Sequence, residues 1–390
     1  MKVVLAGYGT RGDVEPFATV GRELLRRGHD VCMAVPPNML GFLESVGFAA
    51  VPFGPEPLSS VRNRTVEDPA SAMAEQVEYL SRAMEEWGTT LTALANGADL
   101  LLTGRIEQGL AANVAEYYDI PQAALHFFPG AHSRLSGWAG DTTEEVEDAQ
   151  RRALGLPDAT GRSTRSLEIQ AYDALCFPEL AAEWADGDGW RPFVGALTLE
   201  LPTEADDEVL SWIAEGTPPI YFGFGSGVWL PCPAQTFGLI SVACARLGER
   251  ALICSGASDF ADAPHSDQVK VVGAVNHSAV FPACRAVVHQ GGAGTTAAGM
   301  RAGIPTLVLW HPINDQQIWA DAVTRLKVGS GRAFSASNLG SLVADLRSIL
   351  DPQCITRARE VAAQMTKPAV SVASAADLLE DAGRLGRAGA

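Results

Sequence analysis

The run Arg285-Ala286-Val287-Val288-His289-Gln290-Gly291-Gly292-Ala293-Gly294-Thr295-Thr296 passes from an apolar strand through a glycine-rich turn into helix-like sequence. Such a turn presents several backbone N–H groups at a helix N-terminus, where the helix dipole also favours negative charge. A diphosphate fits that arrangement. No Lys-Ser/Thr pair follows the glycines, which separates the run from a Walker loop. Gly291, Gly292, Ala293 and Gly294 leave room for close backbone approach, while the Thr295 and Thr296 hydroxyls and a ring nitrogen of His289 can add donors. Hydrogen bonds to charged groups contribute about 1.5–3 kcal/mol each, so a few of them hold a diphosphate firmly.

Further on, at the end of the next strand, Trp310-His311-Pro312-Ile313-Asn314-Asp315-Gln316 places a carboxylate beside an amide. That pair can accept from and donate to neighbouring sugar hydroxyls, and helix capping by Asn314 or Asp315 is compatible with the same residues. Gly223-Phe224-Gly225-Ser226-Gly227 is another flexible turn after a strand, and Phe224 in place of a glycine rules out a nucleophile elbow around Ser226.

A second glycine motif, Gly7-Tyr8-Gly9-Thr10-Arg11-Gly12, follows the first strand and precedes a helix, the context of a dinucleotide fingerprint. That fingerprint needs an acidic residue closing the second strand, whereas Cys32-Met33-Ala34-Val35-Pro36 closes it without a carboxylate. Nicotinamide binding is therefore the weaker reading. The turn does offer Asp13, at the carboxyl edge where open α/β sheets place ligands. A carboxylate there can cap the helix, gaining about 0.3–1 kcal/mol from the dipole, or act as a general base.

These residues need strands and helices to hold them. Lys2–Ala6, Asp30–Val35, Ala49–Pro52, Leu100–Thr103 and Gln122–Phe127 read as strands, alternating with helical stretches at Glu15–Arg27, Asn38–Val46, Ser71–Ala95 and Gln108–Tyr118. The alternation restarts at Pro219–Gly223 and continues through Ala251–Ser255, Lys270–Val272, Ala286–His289 and Thr306–Leu309. The fold class is α/β with two doubly wound, Rossmann-like domains. The expected division is 1–200 for the first domain, 201–215 for a linker, 216–368 for the second domain, and a last helix over 369–390 that crosses back to the first. Residues 129–166, rich in Gly, Ser, Asp and Glu, are expected to form variable, acceptor-facing structure.

Composition narrows the function classes. A chain of 390 residues with 47% hydrophobic and 19% charged residues is a packed globular protein, and two domains suit its length. No run reaches the roughly 18 apolar residues of a membrane span, and the N-terminus reads as a strand, which places the protein in the cytoplasm. A net charge of −17 disfavours nucleic acid. Arg22, Arg26 and Arg27 on the first helix leave room for weak peripheral contact with the inner face of a membrane, although a solvated helix face is the stronger reading of them. The seven cysteines are odd in number and lack CxxC spacing, a pattern of reduced core thiols rather than a zinc site.

Taken with Ala302-Gly303-Ile304-Pro305 and Asp315-Gln316, the run His289 to Thr296 resembles the C-terminal signature of family 1 glycosyltransferases of GT-B architecture. The opening Gly9-Thr10-Arg11-Gly12-Asp13-Val14-Glu15-Pro16 is similar to a narrower group: actinomycete enzymes that glycosylate glycopeptide antibiotics, sterol glucosyltransferases, and mycobacterial enzymes acting on glycopeptidolipids. The resemblance spans nearly the whole chain. It implies two domains facing across a cleft and transfer of a hexose or deoxyhexose from a dTDP- or UDP-sugar, with inversion, to a hydroxyl of an apolar acceptor. No metal and no other cofactor are implied.

By the same resemblance Asp13 is the base, without the histidine of plant and macrolide relatives. His289 contacts the diphosphate with Gly291, Gly292, Ala293, Gly294 and Thr295, and Ser226 lies near the phosphates. Asp315 and Gln316 meet the donor sugar, and Ala274 and Val275 meet the nucleobase. Gly12, Phe127, His132 and Trp138 are the acceptor-side candidates, the aromatic ones being open to core packing as well. The rival readings are a non-catalytic nucleotide-sugar-binding helper and a nicotinamide oxidoreductase.

Overall fold

The computed structural model describes residues 1–57, 69–130, 138–158, 166–185, 189–225, 233–256, 267–311 and 315–388. They divide into two compact units: unit 1 holds Met1–Tyr172, Glu179–Leu197 and Pro368–Ala390, and unit 2 holds Asp173–Pro178 and Thr198–Lys367.

In unit 1 the strands are β1 (Lys2–Ala6), β2 (Asp30–Val35), β3 (Ala50–Pro52), β4 (Leu100–Thr103), β5 (Gln122–His126) and β6 (Leu167–Gln170). The helices are α1 (Arg11–Arg26), α2 (Leu40–Ser45), α3 (Pro69–Ala95), α4 (Gln108–Tyr118), α5 (Trp138–Ala153) and α6 (Pro178–Ala185), the last beginning at the unit boundary. The strands pair in parallel in the order β3-β2-β1-β4-β5-β6. Central strands of such a sheet are covered on both faces, so they must be apolar throughout. Accordingly Val3, Val4 and Leu5 of β1 and Leu100, Leu101 and Leu102 of β4 are all fully buried.

Unit 2 repeats the plan with β7 (Ile220–Gly223), β8 (Ala251–Cys254), β9 (Val269–Val272), β10 (Ala286–His289), β11 (Thr306–Trp310) and β12 (Gly329–Ala333). Its helices are α7 (Asp206–Ala214), α8 (Pro233–Leu247), α9 (His277–Val280), α10 (Ala293–Ala302), α11 (Gln316–Arg325), α12 (Leu339–Ile349) and α13 (Pro352–Ala362). The parallel order is β12-β11-β10-β7-β8-β9. Both sheets therefore reverse direction once, between β1 and β4 and between β10 and β7, and a doubly wound sheet opens its ligand crevice at that switch point.

Several expectations need correction. The first helix begins at Arg11 rather than Glu15, because Thr10 and Asp13 form a capping box that starts it ahead of Pro16. The stretch 201–215 is not a bare linker: Asp206–Ala214 is helical and buries Val209 and Ile213 in the core of unit 2, while the Asp206 carboxylate accepts from the Thr203 backbone N–H and hydroxyl. Within 129–166, the helix α5 packs against unit 1 through buried Val146 and through Arg151, whose guanidinium donates to Asn113 and Glu116.

The last helix, α14 (Pro368–Ala388), belongs to unit 1. It buries Ala375, Ala376 and Leu379 and carries Asp377 and Glu380 to Arg27, with His29 also on Glu380 at 2.7 Å. Among the described residues no helix is long and apolar enough to cross a membrane, and none of the six described cysteines is in a disulfide.

Candidate active site

At the switch point of unit 2, three loops meet through glycines. Gly225 after β7 has φ +75° and Gly291 after β10 has φ +103°, conformations that disfavour any side chain. A Cβ on Gly256, after β8, would lie 2.3 Å from the Gly225 carbonyl oxygen, and one on Gly291 would lie 2.8 Å from the Gln316 carbonyl oxygen. These glycines are demanded by packing. Gly292 and Gly294 are not: a Cβ on either would meet nothing within 4 Å. Gly292 is the N-cap of α10 and supplies no side-chain cap, so the N-cap residue leaves the first N–H groups of that helix without a side-chain acceptor.

Ala293 and Thr295 are half-buried in the same turn and Gly294 is exposed, as a turn approached by a ligand requires. Thr296 differs from expectation. It is buried, and its hydroxyl donates to the Gly292 carbonyl at 2.8 Å, so it braces the helix instead of facing outward.

His289 closes β10 and is 1% exposed. Its Nδ1 accepts the Gly291 N–H at 2.9 Å, which leaves the ring proton on Nε2. Burial lowers its pKa to about 3, so the ring is neutral at physiological pH. Nε2 has no hydrogen-bond partner among the described residues. An orphaned buried donor is uncommon and points to a missing acceptor.

Asp315 stands at the N-cap of α11 without a side-chain cap hydrogen bond. Gln316 is buried, and its Oε1 accepts the His311 N–H at 2.8 Å, which leaves its amide Nε2 as the group that can donate to a ligand. The His311 ring stacks on Phe334 with centroids 4.8 Å apart. After β9, Ala274 is exposed whereas the Val275 side chain joins the core of unit 2, so only the backbone of Val275 can meet a ligand. Ser226 lies outside the described residues.

The switch point of unit 1 carries carboxylates. Asp13 sits in the first turn of α1, where its Oδ2 accepts from the Thr10 backbone N–H at 2.7 Å and from the Thr10 hydroxyl at 3.0 Å. Gly9, at φ +142°, is needed beside it because a Cβ there would overlap the Asp13 carboxylate. Burial raises the Asp13 pKa against the opposing pull of those Thr10 hydrogen bonds. Capping and basicity thus coexist in one side chain.

Sequence reading missed Glu107, in the loop between β4 and α4. It is 2% exposed, and its pKa is pushed up to about 8, chiefly by burial, with the Asp13 charge adding to the rise. A Cβ on Gly104 would lie 2.6 Å from its carboxyl oxygen. The spacing Gly104-x-x-Glu107 directly ahead of a helix was its only signal. Of the acceptor-side candidates, Gly12 is exposed in the first turn of α1, and Phe127 packs edge-on against Phe17 at 5.9 Å. His132 lies outside the described residues, as does the side chain of Trp138 at the start of α5.

Comparison with known proteins adds to this geometry. Residues 3–96 match the glycosyltransferase family 28 N-terminal domain, and residues 254–383 match the C-terminal domain described as erythromycin biosynthesis protein CIII-like. An uncharacterized glycosyltransferase of Mycobacterium tuberculosis is 54% identical, the match covering 99% of this chain and 100% of the relative. The chain belongs to the glycosyltransferases.

This glycosyltransferase is also similar to the vancomycin aglycone glucosyltransferase of Amycolatopsis orientalis, at 28% identity over 98% of each chain. Its fold is that of a spinosyn rhamnosyltransferase solved with thymidine diphosphate, with a TM-score of 0.70, 18% identity and coverage of 96% of this chain and 99% of the other. The two parallel six-stranded sheets are GT-B architecture. The oxidoreductase reading falls with this membership, and β2 of the glycosyltransferase ends at Val35, followed by Pro36, without an acidic residue.

Proposed function

We propose that this glycosyltransferase moves a hexose or deoxyhexose from a dTDP- or UDP-sugar to a hydroxyl of an apolar acceptor, with inversion, in the cytoplasm. Unit 2 holds the donor and unit 1 the acceptor. The acceptor oxygen attacks the anomeric carbon as the bond from that carbon to the diphosphate breaks, and Asp13 takes the hydroxyl proton. Negative charge gathers on the departing diphosphate, where the N-terminus of α10 and the Nε2–H of His289 stabilise it. Asp315 and the Gln316 amide hold sugar hydroxyls, and the backbone at Ala274 and Val275 meets the base. In this reading N–H groups carry the charge that a metal would otherwise neutralise, so treatment with EDTA should leave turnover unchanged.

The observation that carries the reading is the unpartnered Nε2 of His289 beside an uncapped helix N-terminus at the switch point of the sheet. The spinosyn rhamnosyltransferase, solved with thymidine diphosphate, makes dTDP the first nucleotide to try. The vancomycin aglycone enzyme favours a peptide natural product as acceptor, with a lipopeptide or sterol as the alternatives. Calorimetric titration with dTDP and UDP, on the wild type and on His289→Asn and His289→Ala, tests the donor site. Loss of one charge-assisted hydrogen bond should weaken binding about tenfold or more. Unchanged affinity in both variants would remove the diphosphate from this turn.

A non-catalytic helper would bind the nucleotide equally well. The presence of Asp13, with its raised pKa, at the switch point of unit 1 supports catalysis instead.

A further inference from the structure

The loop that carries Glu107 also carries Arg105, a cation for which the reaction above has no use. Arg105 follows β4 at the carboxyl edge of unit 1, two residues from the side chain that feels the charge of Asp13. Its guanidinium is half-buried, and Nη1 is shielded from solvent without a hydrogen-bond partner among the described residues. Arginine cannot escape such a site by losing its proton.

The nearby counter-charge is already engaged. Glu168, whose field reaches Arg105, accepts from Arg191 Nε at 2.7 Å and from Gln108 Nε2 at 3.1 Å. His126, bonded to Gln108 Oε1 at 3.1 Å, is kept neutral by burial and adds no competing positive charge. Glu107 is protonated at neutral pH and offers no anion.

The surroundings suit a ligand with both an apolar and a charged part. The Phe128 ring lies 5.9 Å from the guanidinium carbon, and Ile106, the next residue, is 41% exposed. A Cβ on Gly130 would stand 3.1 Å from Arg105 Nε, so glycine at that position lets the backbone lie close against the guanidinium. In a chain of net charge −17, a cation with one nitrogen lacking a hydrogen-bond partner among the described residues, at the carboxyl edge of a sheet, is a local attractor for anions.

We infer that Arg105 is an anion-binding residue of the acceptor site, taking a carboxylate or phosphate oxygen of an amphipathic acceptor whose apolar part rests on Ile106 and Phe128. The inference depends on unit 1 being the acceptor domain, as proposed above. It adds a charge requirement to an acceptor otherwise described only as apolar and hydroxylated.

Three matched phenols test it by ligand-observed NMR titration of the full chain without donor: 4-hydroxyphenylacetate, its methyl ester, and 4-hydroxybenzylphosphonate. The wild type should bind at least one of the two anions about tenfold more tightly than the ester, and the preferred anion identifies the class of group. Arg105→Gln should abolish that preference while leaving ester affinity within about twofold, and Arg105→Lys should keep part of it. Unaltered dTDP binding and an unaltered unfolding midpoint certify the variants as folded. Equal affinity of the wild type for acid and ester, or a preference that survives in Arg105→Gln, overturns the role of Arg105 alone. Binding of none of the three phenols overturns the placement of the acceptor in unit 1, and this inference with it.

Discussion

The Nδ1 atom of His289 accepts the backbone N–H of Gly291 at 2.9 Å, and this one bond decides which ring nitrogen carries the proton. The bond requires Nδ1 to be unprotonated, so the neutral ring presents Nε2–H as a donor. In the proposed reaction His289 would therefore meet the diphosphate as a hydrogen-bond donor and not as a cation.

A consequence is readable in stability. The folded pKa of about 3 lies below the ordinary value of 6.5, so the unfolded chain binds an extra proton between those limits. Stability should fall as pH drops below about 6.5, by about 1.4 kcal/mol per unit from this residue, and level off near 3. Denaturant unfolding at pH 7, 5.5 and 4.5 should show a shallower acid loss in His289→Asn than in the wild type. Parallel slopes would mean the ring is protonated in the fold.

Asp13→Asn separates the two duties of that residue. The amide oxygen still accepts from Thr10, so the capping box of α1 and the unfolding midpoint should survive. Turnover should fall by about 10²–10⁴-fold while dTDP affinity is retained. Because burial raises the Asp13 pKa, wild-type turnover should decline on the acid side at a pH above the ordinary carboxylate range. Full turnover in Asp13→Asn would remove it as the base.

Two adjacent glycines should respond in opposite ways to alanine. Gly291→Ala forces a side chain into a φ of +103° and against the Gln316 backbone, so about 1–3 kcal/mol of stability should be lost. At Gly292, with φ −66° and open space around a Cβ, alanine should cost no more than about 1 kcal/mol as a poorer N-cap, yet weaken nucleotide binding. Thermal unfolding paired with calorimetry distinguishes the two. Equal destabilisation would mean that both glycines serve packing.

Glu107 should behave with the opposite sign to His289. Its folded pKa of about 8 exceeds the ordinary 4.5, so its contribution to stability is complete below 4.5 and is lost as pH rises towards 8. Glu107→Gln, which keeps the shape without the ionisation, should match the wild type near pH 4.5 and exceed it at pH 9. A wild type as stable as the variant at pH 9 would show that the carboxyl is solvated after all.

The local pattern of the chain determined the alternating architecture and the two ligand turns. Continuous apolar runs such as Val3–Leu5 and Leu100–Leu102 can be satisfied only inside a parallel sheet, and a glycine-rich turn between strand and helix exposes N–H groups wherever it folds. Other elements took their form from tertiary contacts. The edge strand β12, Gly-Ser-Gly-Arg-Ala, is absent from the strands read in the sequence; it pairs in parallel with β11, and glycine permits the close approach, since a Cβ at Gly329 would overlap the Thr306 carbonyl and one at Gly331 would press on Ala320. Thr295 and Thr296 are equivalent in sequence, and only the pitch of α10 turns one hydroxyl inward.

The same division holds at the site. Asp13 and His289 could be named from their motifs, since His289 closes a strand ahead of one glycine turn and Asp13 follows another in the first turn of a helix. The proton of His289 on Nε2, the protonated state of Glu107 and the unpartnered nitrogen of Arg105 could not. Burial and hydrogen-bond partners fix all three, and those are set by residues such as Gly291, Gly104 and Gly130, which become neighbours only once the strands are side by side.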